Sequence, residues 1–276
     1  METTSRRGIV NPREGFRHFR LERHAPAAAL APWVERHWVV AWDLRGRAPF
    51  TQAVIPHPSV QLVSEPGGTR VHGIGTARFE RRLEGRGTAV GTKFRPGAFA
   101  PFHGAPAWQL TDAVLPVADV FGADGAALAE TIARGGGTVE AHIGAVEAFL
   151  LERLPAPDSN VATLHRMIAA LLAEPAGLRA AELAERYGMS QRTLQRLFRR
   201  YVGVGPKWVL QRYRVHQAAE LLADGEHDDW AAMAVDLGYF DQAHFVNDFR
   251  AVVGTTPAQY VAACAAAREE LAGAAA

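Results

Sequence analysis

Arg192, Gln195, Arg196, Arg199 and Arg200 recur at spacings that spread them over one side of a helix, while Leu194, Leu197, Phe198 and Tyr201 fill the other. Arginine and glutamine are the side chains that hydrogen-bond in pairs to guanine and adenine edges in a major groove. The chemistry open to such a helix is the reading of a duplex, with Arg192, Gln195 and Arg196 placed for bases. Arg199, Arg200, Lys207 and Arg212, farther along and beyond the helix, suit phosphates. A merely solvated basic face is the alternative for any single arginine. It loses ground because the cluster coincides with the second helix of a turn motif visible on other grounds.

That motif begins at Leu178, where Ala181, Leu183, Ala184 and Tyr187 share one helical side; Gly188 then reverses the chain, and Ser190 caps the next helix. It is written twice. Ala184, Gly188, Ser190, Phe198, Gly203 and Pro206 return as Ala234, Gly238, Asp241, Phe249, Gly254 and Pro257, an offset of about 50 residues. Helix, glycine turn, side-chain cap and helix is the order of a helix-turn-helix unit. Between the copies, Pro206 opens a spacer helix that ends near Gly225.

The second copy presents Gln242, Ala243, His244, Val246, Asn247 and Asp248 in place of the arginines, with Arg250 the nearby cation and Asp224, Glu226, Asp228, Asp229 and Asp236 before it. Salt-sensitive affinity for DNA comes from Lys and Arg against phosphates, so the first unit is expected to dominate. Gln242 and Asn247 are the base-contacting candidates here, and Arg250 joins Ser190 among the phosphate contacts. A mainly structural second helix is the competing reading.

The runs Gly188-Met189-Ser190, Leu194-Gln195-Arg196-Leu197-Phe198, Gly203-Val204-Gly205-Pro206, Ala234-Val235-Asp236-Leu237-Gly238-Tyr239 and Gly254-Thr255-Thr256-Pro257 closely resemble the AraC family of bacterial regulators over roughly residues 161–262. The resemblance implies a seven-helix DNA-binding domain. Its base-contacting positions fall on Arg192, Gln195 and Arg196, the set the chemistry already selected; a position often held by Arg in the second unit is Asn247 here.

A chain of 276 residues, 48% hydrophobic and 21% charged, fits two globular domains. The formal net charge of +1 conceals basic residues gathered between Arg179 and Arg214. Met1–Arg20 is polar and arginine-bearing, unlike a secretory or membrane segment, and the single cysteine, Cys264, leaves no intramolecular disulfide; a cytoplasmic address is expected. We divide the chain into residues 1–154, a linker at 155–160 carrying Pro155 and Pro157, a DNA-binding domain at 161–263 and an alanine-rich tail at 264–276. The linker is the expected route of coupling between the domains.

The N-terminal part alternates in short runs at Val34–Trp42, Gln52–Ile55, Ser59–Ser64, Val71–Ile74, Phe79–Leu83 and Thr88–Phe94, followed by amphipathic helices at 118–133 and 139–154 that could also pair two protomers. Ile55-Pro56-His57-Pro58-Ser59 and Lys93-Phe94-Arg95-Pro96-Gly97 resemble the β-rich sensor-like domain of one branch of AraC-type regulators, which implies a cupin-like or other small barrel. The fold class expected is therefore α+β: a β-rich domain with helices, then an all-α domain of two helix-turn-helix units.

Trp38 and Trp42 share a strand face with Val40; with His57, Arg95, Phe99, His103 and Trp108 they supply the residue types of a small-ligand site. Core packing is the alternative for each aromatic. Arg95 suits either clamping an effector anion or bridging two loops through their carbonyls. The histidines show no His-x-His or His-Glu-x-x-His spacing, no Gly-x-Ser-x-Gly elbow occurs, and the glycine runs lack a phosphate-binding Lys, so neither metal, cofactor nor catalysis is expected. The partners expected are promoter DNA, a small-molecule effector, RNA polymerase and a second copy of the chain. A β domain serving only dimerisation or protein interaction, without an effector, is the other reading.

Overall fold

The computed structural model describes residues 8–135, 137–173, 178–225 and 229–274. Residues 1–7 of the polar start, Gly136, the acidic-run members Glu226 and Asp228, and the end of the tail lie outside these.

Eight strands build the N-terminal part: β1 (Arg20–His24), β2 (Val34–Asp43), β3 (Phe50–Val54), β4 (Gln61–Glu65), β5 (Gly68–His72), β6 (Phe79–Leu83), β7 (Arg86–Phe94) and β8 (Val114–Pro116). Six form an antiparallel sheet in the order β1-β2-β7-β4-β5-β8, and β3 pairs with β6 in a second sheet. Residues from both sheets face a shared interior, the arrangement of a small barrel-like β domain. Each of the six alternating runs became a strand. The sequence reading missed β1 and β8, which lie at the two edges of the large sheet.

The helices are α1 (Pro12–Gly15), α2 (Ala100–His103), α3 (Val117–Arg134), α4 (Val139–Glu152), α5 (Ser159–Ala173), α6 (Ala180–Arg186), α7 (Gln191–Tyr201), α8 (Pro206–Asp224), α9 (Trp230–Asp236), α10 (Gln242–Val253) and α11 (Pro257–Ala274). From α5 to α11 the chain is all helical, with seven helices among the described residues, the number the family resemblance implies.

The β part docks directly on both helical units. Phe94, Phe99 and Leu110 share one buried cluster with Leu164, Leu194, Phe198 and Val202, and Ile55 is buried with Val215, Leu222, Phe245 and Phe249. Burial of this apolar surface, at about 25 cal/mol per Å², is the main force joining the halves. Polar contacts fix the register: Thr111 Oγ1 donates to the Gly203 carbonyl (3.0 Å) and Arg13 Nη1 reaches the Ala223 carbonyl (3.4 Å). The linker is tied down as well, since the Tyr201 hydroxyl donates to Asp158 (2.8 Å) and accepts from Asn160 Nδ2 (3.0 Å). The linker is thus one of two connections, with the docked face as the other.

Candidate functional site

The two glycine turns are built alike. Gly188 has φ 63° and Gly238 φ 75°, backbone that a side chain would strain. In each, the next residue's N–H returns to the first helix: Met189 to the Ala184 carbonyl (3.0 Å) and Tyr239 to the Ala234 carbonyl (2.9 Å). Ser190 Oγ then accepts from the Thr193 N–H (3.1 Å) and Asp241 from the His244 N–H (2.7 Å), starting α7 and α10.

On α7, Leu194 and Phe198 are buried, whereas Arg192, Gln195, Arg196, Arg199 and Arg200 are all exposed. The β part packs on the buried side of this helix and on its far end, through Tyr201, Val202 and Gly203, and the basic face stays exposed. Lys207 is exposed at the start of α8. On α10, Phe245 and Phe249 point inward and Gln242, Asn247 and Arg250 outward. Just before it Phe240 is 90% exposed, and on α9 Val235 is 62% exposed.

Arg212 is a correction. It is 3% exposed, stacks over Trp208 (4.4 Å to the ring centroid) and donates through Nη2 to the Thr76 carbonyl of the β part (2.8 Å). Burial pushes its guanidinium pKa down to about 10. Its helical position on α8 faces the docked β domain, so it joins the two halves and reaches no phosphate in this arrangement.

The interior between the two sheets is a cavity of about 690 Å³, within the range of small-molecule sites. Trp38, Trp42 and His57 line it. Opposite the tryptophans on β7 stand Gly91 and Gly87; a Cβ on Gly91 would lie 2.1 Å from Trp38 Cε2, and one on Gly87 2.3 Å from Trp42 Cζ2. Both indoles therefore lie down on the neighbouring strand. Their N–H groups are used, Trp38 toward Gln61 Oε1 (2.7 Å) and Trp42 toward the Glu84 carbonyl (3.0 Å).

The other ligand-site candidates lie elsewhere. Arg95 Nε donates to the Ala31 carbonyl (2.8 Å), bridging loops outside the cavity. His103 stacks on buried Phe99, ring centroids 6.0 Å apart, and burial lowers its pKa. Trp108 is 48% exposed. These three sit past the end of β7, where the chain turns toward the helical half and away from the sheet interior.

What the sequence reading missed is the cationic part of the cavity. Along the sheet's inner face, Arg36, Lys93, Gln61 and His72 form one cross-strand row, and Arg23, Trp38, Gly91, Val63 and Arg70 the next. Leu21, Val40 and Ala89 follow, then Trp42 and Gly87. One end is charged and the other apolar. A β-bulge between Val34 and Arg36 makes Glu35 the extra residue, and its carboxylate pairs with Lys93 (2.9 Å) and with Arg36. Burial, only partly offset by Glu35, pushes Lys93 down to about 8; Arg23 is lowered by burial and by Arg36. The signal was present, because Arg36 continues the period-two face of Trp38, Val40 and Trp42.

Among the described residues no group of three or more His, Cys, Asp or Glu could hold a metal ion, and no helix is long and apolar enough to cross a membrane. Cys264 is buried, and burial raises its thiol pKa.

Two capped turn-and-helix units, joined by one long helix and each presenting a polar outer face, define a double helix-turn-helix protein. Residues 183–263 match the family model described as a helix-turn-helix domain, and residues 22–116 one described as a domain of unknown function. Residues 183–263 are thus a helix-turn-helix domain of the AraC type, preceded by a β-rich domain of that uncharacterised kind. The chain is 33% identical over 117 residues to the regulatory protein PocR of Salmonella typhimurium, covering 41% of this chain and 37% of PocR. It is also 33% identical over 79 residues to an uncharacterised HTH-type transcriptional regulator of Haemophilus influenzae, covering 29% of this chain and 26% of that protein. The chain therefore spans well under half the length of these curated relatives. Among solved structures, the DNA-binding domain of AdpA in complex with a target DNA is 31% identical, covering 39% of this chain and 96% of that one, with a TM-score of 0.37.

Proposed function

We propose that this protein is a sequence-specific regulator of transcription, which reads promoter DNA through α7 and α10 and whose DNA binding responds to a small molecule held in the β-domain cavity. The observation that carries the DNA half is the open face of α7: five exposed Arg and Gln side chains on the second helix of a capped turn, left free by the docked β domain. Arg192, Gln195, Arg196, Gln242 and Asn247 read bases. Arg199, Arg200, Lys207 and Arg250 hold phosphates, with Ser190 setting the start of α7 against the backbone. The spacer α8 is 19 residues long, about 28 Å at 1.5 Å per residue, a length compatible with two helices in major grooves about 34 Å apart.

The effector half rests on the cavity and on its closeness to the helical part. A ligand shifts DNA affinity only by favouring one arrangement of the two halves, and the docked face and the Asp158–Tyr201 tie supply contacts that a second arrangement would have to break.

Chromatin immunoprecipitation of the tagged protein, combined with transcript levels in a strain lacking it, tests this function. Occupied sites upstream of genes whose transcripts change are expected. Occupancy without any transcript change would overturn the regulatory reading.

A further inference from the structure

We infer that the β-domain cavity takes an amphipathic organic acid, its anionic head held between Arg23 and Arg36 and a planar apolar body lying over Trp38 and Trp42. This deepens the effector reading above and rests on it.

The charge on the cavity wall argues for an anion. Arg23, Arg36, Arg70, Arg81 and Lys93 line it, against Glu65 alone among carboxylates of the lining. Glu65 already pairs with Arg81 (2.7 Å) and stands 3.9 Å from Arg70. At the other end Glu35, just behind the wall, is shared by Lys93 and Arg36. That leaves Arg23, whose Nη1 is buried with no hydrogen-bond partner. Three cations around one carboxylate, one of them 6% exposed, is an arrangement that burial disfavours and a second anion relieves. An arginine fork binds a carboxylate or a phosphate ester alike, so the shared chemistry is an anion that offers two terminal oxygens.

The body of the ligand follows from the rows beneath it. Moving away from Arg23 and Arg36, the inner face becomes Leu21, Val40 and Ala89, then Trp42. The two indoles lie on glycines with their N–H groups bonded to the protein, so they offer the ligand flat apolar surface rather than hydrogen bonds. Planar rings stack on such surfaces.

Calorimetric titration of the full-length protein with 1-naphthaleneacetate, its neutral amide, 1-naphthyl phosphate and decanoate tests the inference. The acid is expected to bind saturably and at least tenfold tighter than the amide, a comparison that needs no variant. Arg23→Gln is expected to weaken the acid at least tenfold and leave the amide unchanged, and the phosphate arm tells which anion the head prefers. Equal binding of acid and amide overturns the anionic head, and tighter binding of decanoate than of either naphthalene anion overturns the planar body; in both cases the effector reading stands. If no probe binds, the inference fails, and the small-molecule fraction of a cell extract then judges the effector reading. A rise in melting temperature that is lost in Trp38→Leu retains it; no rise sinks both.

Discussion

His57 stacks on His216, with ring centroids 4.1 Å apart and planes 19° from parallel. His57 lines the cavity and is fixed between Pro56 and Pro58, whose rings restrict the backbone. His216 is buried on α8, the helix joining the two DNA-reading units, and its Nε2 lies 3.3 Å from the Pro56 carbonyl. The cavity wall and the spacer helix are thus one packed contact, and a ligand that moves the wall presses on the element setting the separation of α7 and α10. Replacing His216 by Leu is expected to bring the ratio of DNA affinities with and without cavity ligand close to one. An unchanged ratio, measured by fluorescence anisotropy, would show that the contact carries no coupling.

Arg196 and Arg199 both face solvent on α7, yet their proposed partners differ. Arg196→Ala is expected to cost about 1–3 kcal/mol and relax preference at particular base pairs, whereas Arg199→Ala weakens all duplexes alike and lowers the salt slope by about one. Identical behaviour of the two variants in competition binding would sink this division of labour.

Arg212 gives the opposite pattern. Losing its bond to the Thr76 carbonyl and its stacking on Trp208 is expected to destabilise the protein by about 1.5–3 kcal/mol. The slope of DNA affinity against salt should not change in Arg212→Ala. A flattened slope at an unaltered melting temperature would return Arg212 to the phosphate contacts.

Asn247 is exposed on α10, one turn before the exposed Arg250. Asn247→Arg is expected to steepen the salt slope by about one contact. Filter binding across a salt series checks this, and an unaltered slope would mean that α10 does not approach the duplex.

Lys93 makes anion binding in the cavity depend on pH. Its folded pKa is about 8 against an ordinary 10.5, lowered by burial and by Arg36 and Arg23 while Glu35 opposes the shift. Between those values the unfolded chain holds a proton that the folded one has released, so rising pH favours the fold with respect to this group. The bound anion has the reverse preference, because it gains from the charged ammonium. Affinity for 1-naphthaleneacetate is therefore expected to fall as pH rises through about 8, and to flatten in Lys93→Met. A flat profile in the unsubstituted protein contradicts this placement of the head.

The DNA-binding half was legible because its devices are local: the glycine with positive φ, the cap two or three residues after it, the prolines opening α8 and α11, all repeated at an offset of about 50 residues. The β half was legible only where its inner face is apolar. β1 was invisible since its inward positions are Leu21 and Arg23, so the alternation that marks a strand is broken by a charge turned into the cavity. Arg36, Lys93 and Arg81 were overlooked for the same reason: a charged side chain in a strand reads as outward unless the register is known. Arg212 failed in the other direction, because a helix that is buried against a second domain gives its cation a partner no local pattern announces.

The central claim is that both units read sequence. Selection from a randomised duplex pool by the full-length protein at near-physiological salt, with sequencing of what is retained, tests it most directly. The expected result is a motif of two blocks about one helical turn apart, the block facing α7 the stronger. Retained duplexes with a single enriched block, or with none, would contradict it.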